Sequence, residues 1–279
     1  MPQVILVPSR YVPSERHAPH SHEEMHISLV LRGGLREVAG RNEECADPLS
    51  VVLKDPGVVH ADDFGPDGAV MAQLVVRRAV VGDLVDEPQR ARPWIWVHGG
   101  ASAAPFLRIL ARGRTGQRRF TSDDDDVVDL LASLSTRRAD APSGEAPAWL
   151  RDAAAHFEDG WRPGLTVRDV ARAADVHPVY LARCLRRWFG VGGADLIRRA
   201  RLKHAARAVA DSSQTMAGVA YATGFADEAH LCREFSKAIG LTPARFRRLG
   251  HEIGSQSRRV AHAAPTNGRL EQARCSSRA

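Results

Sequence analysis

Cysteine is scarce in this 279-residue sequence and long apolar runs are missing. Cys45, Cys184, Cys232 and Cys275 lie far apart with no Cys-x-x-Cys pair. That excludes a disulfide scaffold and a thiolate zinc site built from sequence neighbours, and the four read as reduced thiols. The longest apolar stretches, Ile27 to Leu31 and Val70 to Val76 with Gln73 inside, span only about six residues against the roughly 20 of a membrane-spanning helix. No membrane partner is expected. The first ten residues lack a basic start leading into an apolar core and a small-residue cleavage site, so the expected location is cytoplasmic. What is present, 44% hydrophobic and 26% charged residues, suits a folded chain, and the length favours two domains over one.

Charge divides the chain. Residues 1–159 carry 18 Lys+Arg against 24 Asp+Glu, a net −6; residues 160–250 carry 16 against 7, a net +9; residues 251–279 carry 5 against 2, a net +3. A basic segment beside an acidic one predicts a polyanion partner for the former and a different task for the latter.

The acidic half begins with short β-favouring runs, Val4–Val7, His26–Leu31, Leu49–Leu53, Val70–Val76 and Trp94–Val97, separated by turn residues such as Gly33-Gly34, Asp55-Pro56-Gly57 and Gly65-Pro66-Asp67-Gly68. The pattern predicts a small barrel or sandwich over residues 1–98. From Gly99 the period becomes helical (Phe106, Leu107, Leu110; Val127, Val128, Leu130, Leu131, Leu134), which predicts a helical linker and possible dimerisation region over 99–160. Asp123–Asp126 reads as a helix N-terminus whose carboxylates complement the dipole, rather than as a metal cluster.

Five histidines invite a chemical reading. His17, His20, His22 and His26 fall within ten residues, and His60 follows the Asp55-Pro56-Gly57 turn. Residues two apart on a strand share a face, so His20, His22 and, on a regular strand, His26 point to one side. The order His20-x-His22-x3-His26-x6-Gly33, then Pro56-Gly57-x-x-His60, resembles the two motifs of cupin barrels. In metal-binding cupins the position of His26 is usually Glu, and imidazole can replace it as a ligand. The resemblance implies a cupin-like sensing domain in which His20, His22, His26 and His60 contact an effector, hold a divalent metal, or only hydrogen-bond the strands, with no cofactor required. A rival reading is a metal-dependent cupin enzyme with a DNA-binding appendage.

Between Thr166 and Arg248 the chain repeats itself. Val167-x-x-Val170-Ala171-x-x-Ala174-Asp175-Val176, Leu181-x-Arg183-x-Leu185 and Phe189-Gly190-Val191 are matched, at an offset of 49 and then 50 residues, by Met216-x-x-Val219-Ala220-x-x-Thr223-Gly224-Phe225, Leu231-x-Arg233-x-Phe235 and Ile239-Gly240-Leu241. Each unit has apolar spacing for a short helix, a turn and a second helix, which is a helix-turn-helix. Thr166 and Thr215 suit N-caps, Pro178 a first helical position, and a long helix over Ala194–Ala210 joins the units. Two recognition helices on one strut can read successive major grooves of a double-stranded DNA. With Leu181, Leu185, Trp188, Leu231, Phe235 and Ala238 facing inward, the outward residues are Val179, Ala182, Arg183 and Arg186 in the first unit and Glu228, Ala229, His230, Cys232, Arg233 and Lys237 in the second. Arg183 and Arg233, able to bond guanine O6 and N7 in pairs, lead as candidates for base or phosphate contacts, while Arg186, Arg187, Lys237, Arg245, Arg247 and Arg248 would mainly meet phosphates. A nucleoid protein without sequence preference is a further rival.

The stretch Ala222-Thr223-Gly224-Phe225 through Gly240-Leu241-Thr242-Pro243-Ala244-Arg245-Phe246-Arg247 resembles the DNA-binding domain of AraC-family transcription regulators over roughly Leu165 to Arg248. The resemblance implies a DNA-binding domain at 161–250, a sensing domain for a small-molecule effector, homodimerisation, contact with RNA polymerase and no catalysis. His177 and Ala226 stand at N-cap positions where the family often has Ser. Gly192-Gly193 replaces the Ser/Thr-Pro that begins the linker helix, which predicts a more loosely held first unit. The expected fold is thus α+β in two domains, a cupin-like β-barrel followed by helices and then an all-α double helix-turn-helix, with a disordered tail at 251–279.

Overall fold

The structure is a computed structural model that describes residues 4–77, 93–113, 119–121, 124–139, 146–210 and 213–256. The acidic half builds one antiparallel sheet of eight strands: β1 (Val4–Tyr11), β2 (Arg16–His20), β3 (Met25–Ala39), β4 (Asn42–Ala46), β5 (Val51–Lys54), β6 (His60–Val76), β7 (Trp94–Val97) and β8 (Arg119–Phe120). The main order is β7-β5-β3-β6-β1-β8, with β2 joined to β6 and β4 to β3. The expected closed cupin-like barrel is corrected here: among the described residues no pairing joins β7 to β8, and the sheet stays open. The long strands β3 and β6 bend instead, with register shifts between Val30 and Arg32 and between Gly33 and Leu35, as bulges allow. Bending lets one strand pair with different neighbours at its two ends.

Alternation along β3 sends Met25, Ile27, Leu29 and Leu31 into one core. Val30 and Leu35 go into a smaller one on the other side, with Tyr11, Phe64 and Met71. The large core is capped by α1 (Gly100–Gly113) and α2 (Asp125–Ala139) through Phe106, Leu110, Val127 and Leu130. Asp125 and Asp126 open α2 as expected. Arg112 pairs with Asp124 at 2.5 Å and Arg108 with Asp126 at 2.5 Å, so these acids are structural. Asp123 lies outside the described residues.

The basic half is helical: α3 (Ala148–Asp159), α4 (Val167–Ala173), α5 (Pro178–Phe189), α6 (Gly193–Ala210), α7 (Met216–Ala222), α8 (Glu228–Ile239) and α9 (Pro243–Gln256). Helix α9 runs six residues past the expected boundary at Gly250, and Ile253 is buried; residues 257–279 lie outside the described set. The two helix-turn-helix units do not share a core. Leu150 and Phe157 of α3 pack with Val170, Leu181 and Leu185 of the first unit. Val219, Leu231, Phe235 and Phe246 of the second unit join the core of the sheet domain.

Candidate nucleic-acid interface and the histidine cluster

Each recognition helix is started by local chemistry. In the first unit, Thr166 and Asp169 form a capping box on α4, and Asp175 takes φ 52° at the turn. His177 caps α5 by accepting from the Val179 N–H, with Pro178 beginning the helix. In the second unit, Thr215 caps α7 and Gly224 takes φ 68°, a left-handed conformation that costs glycine little. The cap of α8 is Asp227, whose side chain accepts from the His230 N–H, rather than Ala226 as the sequence suggested. Both recognition helices end on a left-handed glycine, Gly190 and Gly240.

Of the twelve proposed contact residues, Val179, Arg183, Arg186, Arg187, Glu228, Ala229, Arg233 and Lys237 are exposed on α5 and α8, and Ala182, His230 and Cys232 are half-buried beside them. The basic side chains of α5 and α8 therefore stand in water, away from the cores that hold Leu185 and Phe235. His230 is partly turned back, its Nδ1 accepting from the Ala226 N–H at 3.3 Å. Arg247 is placed elsewhere: its Nε donates to the Val209 carbonyl at 2.6 Å, closing the C-terminal end of α6. Two aromatic rings passed over in the sequence also stand outward, Tyr180 (52% exposed) on α5 and Tyr221 (87% exposed) on α7. Tyr180 follows Val179 and precedes Arg183 by three, a helical spacing that signals one face.

The connecting helix is tightly seated. Gly193 is buried, and a Cβ there would meet Val167 Cγ2 at 2.8 Å and Phe157 Cζ at 3.3 Å. The expectation that Gly192-Gly193 loosens the first unit is therefore overturned: absence of a side chain at 193 lets α6 approach α3 and α4. The start of α1 meets the end of α8, where a Cβ on Gly100 would lie 2.9 Å from the Ala238 carbonyl. Between the sheet and the helices, Asp47 takes Lys203 at 3.5 Å and contacts Arg207, and Lys203 also binds Glu158 at 2.8 Å. Burial lowers the Lys203 ammonium, but Glu158 and Asp47 outweigh it and hold the group above its ordinary value. Beside this seam lies a cavity of about 1150 Å³ lined from both halves, by Arg16, Arg32 and Asp63 and by Trp161, His204 and Arg207 among others. The candidate effector residues His20, His22, His26 and His60 do not line it.

The histidines gather at one end of the sheet instead. Strand β2 pairs His17 with Asp62 and His20 with His60, with a register shift between them. The shift brings His17 and His20, three apart, onto the face of Asp62 and His60, two apart. Ring nitrogens of His20, His22 and His60 lie within 4.8 Å of one another. His26 stands outside that set, stacked face to face on His22 at 4.1 Å. His60 Nε2 is 3.0 Å from the Lys54 ammonium, whose Nζ also donates to Glu37 Oε2 at 2.8 Å. Burial, then Lys54, push His60 down to about 3, so it is a neutral acceptor. Burial raises Glu37, while Asp62, despite burial, is held below the usual carboxylate range by His17 and Lys54.

Residues 170–249 match a family model described as a helix-turn-helix domain. Over 79 residues the chain is 39% identical to the HTH-type transcriptional regulator GlxA of Rhizobium meliloti, covering 28% of this chain and 24% of that one. It is 30% identical over 83 residues to a putative AraC-like transcription regulator of Streptomyces lividans, covering 30% and 27%. The crystal structure of ToxT from Vibrio cholerae O395 superposes with a TM-score of 0.38 at 11% identity, covering 88% of this chain and 98% of that one. The chain spans less than half the length of the curated relatives it matches. Among the described residues no helix is long and apolar enough to cross a membrane. The repeated capped units lie within the matched residues, so residues 170–249 form a helix-turn-helix domain similar to those of HTH-type and AraC-like transcription regulators.

Proposed function

We propose that the protein is a sequence-specific DNA-binding transcription regulator, with α5 and α8 entering successive major grooves of double-stranded DNA. The observation that carries this is the repeat itself: two capped recognition helices, Pro178–Phe189 and Glu228–Ile239, joined by one buried-faced helix, each with an exposed arginine at the matching position, Arg183 and Arg233. Arginine bonds guanine O6 and N7 in pairs, so these two choose the sequence, while Arg186, Arg187, Lys237, Arg245 and Arg248 hold the phosphates. No catalytic step is required. A small-molecule effector in the seam cavity touches both halves, and a ligand with different affinity for two arrangements of the halves shifts their populations. A homodimer through the sheet domain and contact with RNA polymerase complete the reading.

The test is selection of bound duplexes from a random pool by the full-length protein at one stated salt concentration. Two enriched boxes about 10 base pairs apart are expected. Binding without enrichment, with equal affinity for any duplex, would replace this reading with that of a nucleoid protein.

A further inference from the structure

The Asp62 carboxylate lies at the centre of a set of ring nitrogens. It is buried, its Oδ1 receives no hydrogen bond among the described residues, and its Oδ2 faces His17 Nδ1 at 3.5 Å and His20 Nε2 at 3.9 Å. The far nitrogen of each ring is anchored to an acceptor. His17 Nε2 donates to Glu15 Oε1 at 3.0 Å, and His20 Nδ1 donates to the Ala18 carbonyl at 3.0 Å. An acceptor on the far side fixes the ring hydrogen there and, in a neutral ring, turns the lone pair toward Asp62. A proton on His17 Nδ1 bridges toward Asp62 Oδ2, and a divalent cation can take that place with the rings already aimed at the carboxylate. Anchoring of the outer nitrogen by a carboxylate or backbone carbonyl is how proteins prepare imidazoles for metal.

We propose that His17 Nδ1, His20 Nε2 and Asp62 Oδ2 form a seat for one divalent cation of the zinc class. Ligand bonds of about 2.1 Å in a tetrahedral site separate neighbouring ligand atoms by roughly 3.4 Å. The observed 3.5 and 3.9 Å need only a small closure, and all three ligand atoms already lie within 4.8 Å of one another. Two histidines and one carboxylate leave further positions for water or a ligand, as in open metal sites. His20 is the most exposed of the three, with 16% of its side chain in contact with solvent, and opens the way in.

This set is displaced from the four sequence-motif positions, and the structure gives the reason. His60 Nε2 faces the Lys54 ammonium at 3.0 Å, so a second cation on that nitrogen would meet a fixed positive charge. His26 is stacked on His22 and has no place among the converging nitrogens. The inference stands independently of the DNA-binding reading.

The experiment is calorimetric titration of chelator-treated full-length protein with zinc chloride, on the native sequence and on Asp62→Asn, His17→Gln, Glu15→Gln and His26→Gln. One equivalent of zinc is expected. Asp62→Asn and His17→Gln should weaken binding by more than about 100-fold, because loss of an outer-shell partner alone costs 10- to 100-fold. Glu15→Gln should fall in that smaller range, and His26→Gln should bind as the native protein does. Circular dichroism melts of each metal-free variant check folding; if Asp62→Asn does not fold, the exposed-side change Glu15→Gln decides. Absence of stoichiometric zinc, loss of binding in His26→Gln, or native affinity in Glu15→Gln would overturn the proposal.

Discussion

At the scale of single residues, helix geometry separates outward groups from supporting ones. Arg233 is exposed on α8 while its neighbours Leu231 and Phe235 are fully buried, so its guanidinium is presented by a fixed backbone. Arg233→Ala should cost about 1–3 kcal/mol of discrimination at one base pair and leave the fold intact. An equilibrium titration of matched and mismatched duplexes checks this, and unchanged preference removes Arg233 from the reading set. The spacing of apolar positions was enough to predict that Arg183 and Arg233 face outward. It was not enough for Arg247, because its bond to Val209 crosses between two helices far apart in sequence. Nor was Asp62 legible beside the histidines, since only the register shift in β2 turns His17 and His20 to its face.

At the scale of elements, caps and turns were the most readable features. Thr166, Thr215, Pro178, Asp175 and Gly224 all sit where local backbone chemistry demands them. The strands β1, β3, β6 and β7 contain the apolar runs seen in the sequence and β5 holds the later part of one, from Val51, while β2, rich in His and Arg, carries no such signal and was missed. Closure of a sheet depends on long-range pairing, which alternation does not encode. Gly193 shows the same limit: a pair of glycines reads as looseness until the approach of Val167 and Phe157 is seen. Gly193→Ala should destabilise the first unit by about 1–3 kcal/mol through overpacking. A urea titration of the full-length protein should show this loss; a variant as stable as the native protein would mean that α6 yields at no cost.

At the scale of the whole molecule, the sheet domain grips the two units unequally. The second unit shares its core, whereas the first packs with α3 and is tied to the sheet across the seam through Glu158, Lys203 and Asp47. The sequence showed a basic domain and an acidic one; it could not show that the apolar faces of α8 and α9 serve both. His204 belongs to this seam, stacked on Trp161 at 4.3 Å, and burial holds it below its ordinary value of 6.5. The unfolded chain therefore takes up a proton at His204 in a range just below pH 6.5 where the folded chain does not. Its stabilising contribution is full above that pH and is lost as pH falls. The melting temperature should drop on acidification below about pH 6.5, less steeply in His204→Gln, with the remaining slope owed in part to His60. Equal slopes in the two proteins would place the seam's acid sensitivity elsewhere.

The central claim is that both units read DNA from one side. Hydroxyl-radical footprinting of the full-length protein on its selected duplex tests it most directly. Two protected segments on one face of the helix, centred about 10 base pairs apart, are predicted. A single protected segment that is unchanged by Arg183→Ala would contradict the claim and leave the second unit as the sole reader.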